Sequence, residues 1–123
     1  MNVNDYLAKA YPSPPCWALV ADVYASELAQ PVTQWRAVNG SVRALASAFA
    51  VAVQKNPDGF AQLDAPEEMC LVLLGKLRST GVHHCGVYVE GRVLHALETG
   101  PVHEGLTTLG DVYEVIEFWG LQS

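Results

Sequence analysis

Two runs of β-type residues, 82–89 and 92–97, stand on either side of the dipeptide Glu90-Gly91. A two-residue connection suits a tight hairpin turn, and a tight turn leaves little freedom in the pairing. Val89 then faces Arg92, Gly86 faces His95 and His84 faces Leu97. Side chains alternate along a strand, so His84, Gly86 and Tyr88 share one face with Val93, His95 and Leu97. His83 and Cys85 point the other way. His84 and His95 become diagonal neighbours, roughly 7–8 Å apart at the backbone and closer at the rings. Gly86, opposite His95, leaves room for an imidazole to lie over the sheet.

The rest of the chain supplies a frame for this hairpin. Residues 69–74 and 112–119 are further strand candidates, bounded by turn-forming residues. Ahead of them, Ser13 is placed to cap a helix and Pro14 to occupy its first position, where a missing N–H costs nothing. Trp17, Val20, Val23, Tyr24 and Leu28 recur at helical spacing, and Pro31 follows the end. A second helix is expected over 41–54. Val42, Leu45, Ala46, Phe49 and Val53 fall on one stripe, read as core packing, and Asn56-Pro57-Asp58-Gly59 stops the helix. Helices first and closely connected strands later imply an α+β fold, with N-terminal helices on a small antiparallel sheet. No repeat, low-complexity tract or long linker divides residues 1–123, so one domain is expected.

Half of the residues are apolar and 16% are charged, the balance of a folded globular chain. A net charge of −6, with seven scattered basic residues, argues against nucleic acid and anionic membranes as partners. The first residues lack the basic and apolar regions of a secretory signal, and no apolar run approaches the ~20 residues that span a bilayer. Synthesis and folding in the cytoplasm are therefore expected. The three cysteines, Cys16, Cys70 and Cys85, are an odd number without a CxxC pair, which supports neither a disulfide framework nor a zinc knuckle.

Cys16 is expected about three residues into the first helix, where unpaired amides stabilise a thiolate. A cysteine beside an apolar helix face is also an ordinary small hydrophobe, so position alone leaves its role open. A thiol at a helix start, joined to two histidines on one sheet face, is the ingredient list of nucleophilic acyl transfer. One histidine takes the thiol proton and a further polar group holds that histidine's ring. Cys70 and Cys85 read as buried strand residues, His103 as a surface residue in a turn after Gly100-Pro101-Val102, and Asp22 and Glu98 as solvated charges. A metal site from Cys16, His84 and His95 has no supporting ligand spacing.

Three segments carry a family resemblance. Cys16-Trp17-Ala18-Leu19-Val20 with Val23-Tyr24 resembles the nucleophile helix of the NlpC-like cell-wall cysteine peptidases, which have a papain-like core. It is closest to the bacteriophage tail versions, in which Trp follows the cysteine. His84-Cys85-Gly86-Val87-Tyr88-Val89 resembles the family's His-x-Gly-Ile/Val-Tyr strand, and Gly91 through Glu98 resembles the Gly-x-x-x-His-Ala strand after it. The resemblance implies a papain-like NlpC-type fold with Cys16 as nucleophile, His84 as base and His95 as orienting group. It assigns Tyr11 to an upstream tyrosine near the substrate, at short spacing from Cys16. Trp17 either packs in the core or walls the cleft.

The implied substrates are peptidoglycan stem peptides, often cut at a γ-D-glutamyl bond to a diamino acid, without a cofactor. The phage versions imply tail proteins as partners and a place in the virion tail. Three positions depart from the family pattern. Pro15 replaces the Asp before the cysteine, Trp17-Ala18 replaces Ser-Gly, and Glu67-Glu68 replaces a Gly-Asp turn. They touch substrate selection and loop geometry more than the triad. The alternatives are a catalytically silent tail component and papain-like acyl transfer on another substrate.

Overall fold

In the computed structural model, which describes residues 1–33 and 41–121, one antiparallel sheet carries the hairpin. In chain order the elements are α1 (Val3–Leu7), α2 (Cys16–Leu28), α3 (Val42–Lys55), β1 (Phe60–Leu63), β2 (Leu71–Gly75), β3 (His84–Val89), β4 (Arg92–Leu97), β5 (Gly100–Glu104), α4 (Leu106–Gly110) and β6 (Val115–Leu121). The six strands lie in the order β1-β6-β2-β3-β4-β5. This is the expected α+β architecture with a small antiparallel sheet.

The turn at Glu90-Gly91 has both residues at positive φ, 52° and 78°. That backbone matches the twist of the flanking strands and holds the register. Val89 pairs with Arg92, Val87 with Leu94 and Gly86 with His95. The β3–β4 ladder ends there, short of the His84–Leu97 pair expected from the sequence; His84 pairs with Leu74 and Leu97 with Gly100.

Side-chain parity then divides the core in two. Leu71, Leu73, Cys85, Val87, Val89, Leu94 and Ala96 pack with α1 and α2 on one face. Val72, Leu74 and Val93 pack with Leu109 of α4 and Tyr113 on the other. β2 lies between β6 and β3 with a core on both faces, which is why its run Leu-Val-Leu-Leu is apolar throughout rather than alternating. The Tyr24 hydroxyl donates to the Met69 carbonyl at 2.9 Å and ties α2 to the entrance of β2.

Several expectations need correction. Ser13 does not cap α2 and Pro14 is not its first residue; the N-cap is Pro15, without a side-chain hydrogen bond. A cap at Ser13 would have put Pro15, which has no N–H, among the amides to be capped. Ser13 Oγ instead donates to Glu98 at 2.7 Å, so Glu98 is not merely a solvated charge. The α3 stripe buries only Phe49, while Val42 and Val53 are 43% and 37% exposed.

The strand expected from residue 69 begins at Leu71. Met69 has φ 69°, and the Cys70 amide is used by the Glu67 carbonyl in a turn. The strand expected from residue 112 begins at Val115, because the amides of Val112 and Tyr113 bond back to Leu109 at the end of α4. Gly100-Pro101-Val102 is strand rather than turn. β5 is an edge strand, the place in a sheet where proline's missing donor is tolerated. Among the described residues, no helix is long and apolar enough to cross a membrane.

Candidate active site

Cys16 is the first residue of α2, not the third, and it is 4% exposed. The Leu19 amide is the first to find an acceptor in the helical pattern, bonding the Pro15 carbonyl at 3.1 Å. The amides before it form the positive end of a 13-residue helix, and the thiol sits there. Its pKa is lowered to about 5, chiefly by the Cys85 thiol donating to it and then by the His84 ring, against the opposing effect of burial. Cys85 itself is pushed well above the ordinary thiol value by complete burial and by the neighbouring Cys16. The pair therefore divides its roles: Cys16 holds the thiolate and Cys85 keeps its proton.

β3 brings Cys85 and His84 to the same helix end from opposite faces. Cys85 points into the α2 side of the core, as parity requires. His84, the first residue of β3, lies at the margin of the other face, and its ring stacks on Tyr113 with centroids 6.0 Å apart and planes 11° apart. His84 Nε2 and His95 Nδ1 are 2.8 Å apart, with the two rings edge to face. The close approach depends on Gly86. A Cβ there would lie 2.7 Å from the Leu94 carbonyl oxygen and 2.9 Å from His95 Cβ.

His95 is 1% exposed, and its Nε2 lies 2.8 Å from Glu104 Oε1. Burial, then the neighbouring His84, lower its pKa to about 4. His95 is thus a neutral imidazole around neutrality. The order of contacts runs from Cys16 through His84 and His95 to Glu104.

The two other expected site residues lie elsewhere. The Tyr11 hydroxyl donates to Asp22 Oδ2 at 2.6 Å on the flank of α2, where burial and that carboxylate hold it protonated far into the alkaline range. Asp22, read as a solvated charge, also accepts from Lys9 at 2.8 Å and Ser26 at 3.1 Å. Trp17 belongs to the core cluster, and its Nε1 donates to the Thr33 carbonyl at 2.9 Å. It also lines an apolar cavity of about 430 Å³ with Phe49, Phe60, Leu71, Leu73 and Trp119. His103, read as a surface residue in a turn, is half-buried in β5, with its Nε2 2.8 Å from the Val89 carbonyl oxygen.

Three groups at the site were not singled out from the sequence. Cys85 reads from the sequence as a buried strand residue, and its parity away from His84 follows from the hairpin register. Glu104 escapes because the start of β5 reads as a turn, and Tyr113 because it falls inside the strand expected over 112–119, whereas it precedes β6, which begins at Val115. Among the described residues, no group of three or more His, Cys, Asp or Glu side chains converges as a metal site. His84 and His95 spend facing nitrogens on each other instead. No family model matches the chain, and a search of the curated proteins finds no match.

Proposed function

We propose that the chain is a cysteine peptidase or amidase with a papain-like, NlpC-type fold, in which Cys16 attacks and His84 carries the proton. The observation that carries this reading is the Cys16 thiol, lowered to about 5 at a helix start beside a histidine that is itself bonded to a second histidine. A thiol tuned to be a thiolate at neutral pH is the nucleophile such chemistry needs.

In the proposed cycle the Cys16 sulfur adds to the carbonyl carbon of the scissile amide. The developing oxyanion is met by backbone amides near the start of α2, Cys16's own among them. The intermediate collapses to a thioester as the amine leaves with a proton from His84. Water then gives a proton to His84 and attacks the thioester, expelling the Cys16 thiolate, releasing the acid and regenerating the thiolate–imidazolium pair. The motif resemblance points to peptidoglycan stem peptides, cut at the γ-D-glutamyl bond to a diamino acid. Its bacteriophage versions point to a tail component that opens the wall locally.

The first test is alkylation of each cysteine by iodoacetamide from pH 4 to 9, read by peptide mass spectrometry. Cys16 reacts fast from about pH 5 upward, far below the ordinary thiol value of 9.0, and His84→Ala slows it. Turnover of stem-peptide fragments then falls by roughly 10³-fold or more in Cys16→Ala. A Cys16 that reacts in step with ordinary thiols removes the enzyme reading and leaves a structural tail component.

A further inference from the structure

Glu104 closes β5, opposite Val93 of β4, and so lies on the sheet face that carries His95. Its Oε1 is 2.8 Å from His95 Nε2, while His95 Nδ1 is 2.8 Å from His84 Nε2. Each of these bonds needs one proton between its two atoms, and the possible placements are few.

A carboxylate oxygen can only accept, so the proton of the outer bond sits on His95 Nε2. A neutral His95 then has a bare Nδ1, which can only accept. The inner bond therefore takes its proton from His84 Nε2. That leaves His84 Nδ1 as the nitrogen that exchanges a proton with Cys16. With the His95 proton on Nδ1 instead, its Nε2 lone pair would face the carboxylate at hydrogen-bond distance. His84 would then have to carry its single proton on Nδ1, on the side of the thiol, and could not take another from it. A doubly protonated His95 would have the same effect on His84, and burial opposes that state.

From this geometry we infer that Glu104 is a positioning residue: it holds His95 as the Nε2–H tautomer, and through it aims the basic Nδ1 of His84 at Cys16. The inference rests on the hydrolase reading for its purpose, though not for its geometry. The ionisable groups about the two rings come from four places: Cys16 of α2, Cys85 of β3 with His83 just before it, Glu104 of β5, and Tyr113 after α4. Of these, Glu104 is the one bonded to His95 Nε2. His83 has its own partner, accepting from the Lys76 amide at 3.1 Å.

Long-range ¹H–¹⁵N correlation spectra of the histidine rings at pH 7 read the tautomers directly. In the unaltered chain, His95 is expected as Nε2–H. Glu104→Leu lets His95 populate the Nδ1–H form and slows Cys16 alkylation at pH 6 by roughly tenfold or more. Glu104→Gln, whose amide oxygen accepts the same N–H, keeps the tautomer and most of the rate. A His95 that carries its proton on Nδ1 in the unaltered chain overturns the inference without any variant. So does a folded Glu104→Leu protein with unchanged tautomer and alkylation profile. If the tautomer is as expected while Cys16 reacts like a free thiol, the positioning stands and the hydrolase reading falls.

Discussion

Gly86 decides whether the two histidines can meet at all. The space a Cβ would need is already held by the Leu94 carbonyl oxygen, Val93 Cγ1 and His95 Cβ, all within 2.7–2.9 Å. All three belong to the paired strand β4, and the Leu94 oxygen and His95 Cβ are fixed by its backbone, so the strands must part or the His95 ring must move. Gly86→Ala is expected to cost about 1–3 kcal/mol in urea unfolding and to slow Cys16 alkylation at pH 6. Unchanged stability and reactivity would show that the sheet yields elsewhere. Cys85 works at the same level. It is a buried hydrophobe by every compositional measure, yet its proton is the largest influence holding Cys16 as a thiolate. Composition can place such a thiol in a core, but only the packing of α2 on β3 sets it beside Cys16.

The helices differ in how they are held. α2 has no side-chain cap but buries seven residues, among them Trp17, Leu19, Val20 and Tyr24, so tertiary packing maintains it. α3 is the reverse. Ser41 caps it by accepting from the Ala44 amide at 3.2 Å, Asn56 ends it in a left-handed conformation, and Phe49 is its one buried side chain. Local signals start and stop α3 while little apolar burial attaches it. Ser41→Ala is expected to cost about 1 kcal/mol. In native-state hydrogen exchange the α3 amides should open at lower free energy than those of α2, and the Ser41→Ala change should lower α3 protection selectively. Equal protection of both helices would contradict this account.

Buried ionisable groups make the stability of the fold depend on pH. His95 has its pKa lowered by burial to about 4 from an ordinary 6.5, and His83 is lowered for the same first reason. Between those values the unfolded chain binds protons that the folded chain refuses, so stability falls as pH drops through that window. Cys16 acts in the same direction at higher pH. Its pKa lies at about 5 against an ordinary 9.0, so the stability it adds is complete above about pH 9 and is lost as pH falls toward 5. The melting temperature is expected to fall by roughly 10 °C or more between pH 7 and pH 4. Calorimetry that finds the same melting temperature at both pH values would show that these groups are not held as the packing implies.

Local chemistry made the β3–β4 hairpin legible. A two-residue turn and strict alternation were enough to put His84, Gly86 and His95 on one face in the observed register, because both rules act within a few residues. The body of α2 and the stop of α3 were legible for the same reason, whereas the start of α2 was not, because Ser13 and Pro14 carry local start signals that the fold does not use. The edges of the sheet were not. β1 and β5 are short edge strands that exist through pairing with β6 and β4, and the proline in β5 reads locally as a turn. The meeting of Cys16 with His84 was legible only through motif resemblance, since 68 positions separate them and no local rule reaches that far. The contacts of Cys85, Glu104 and Tyr113 with the site were decided by tertiary packing alone. They arise where α2, β5 and the turn after α4 converge on β3 and β4, and the free energy that brings them there comes from the burial of both sheet faces.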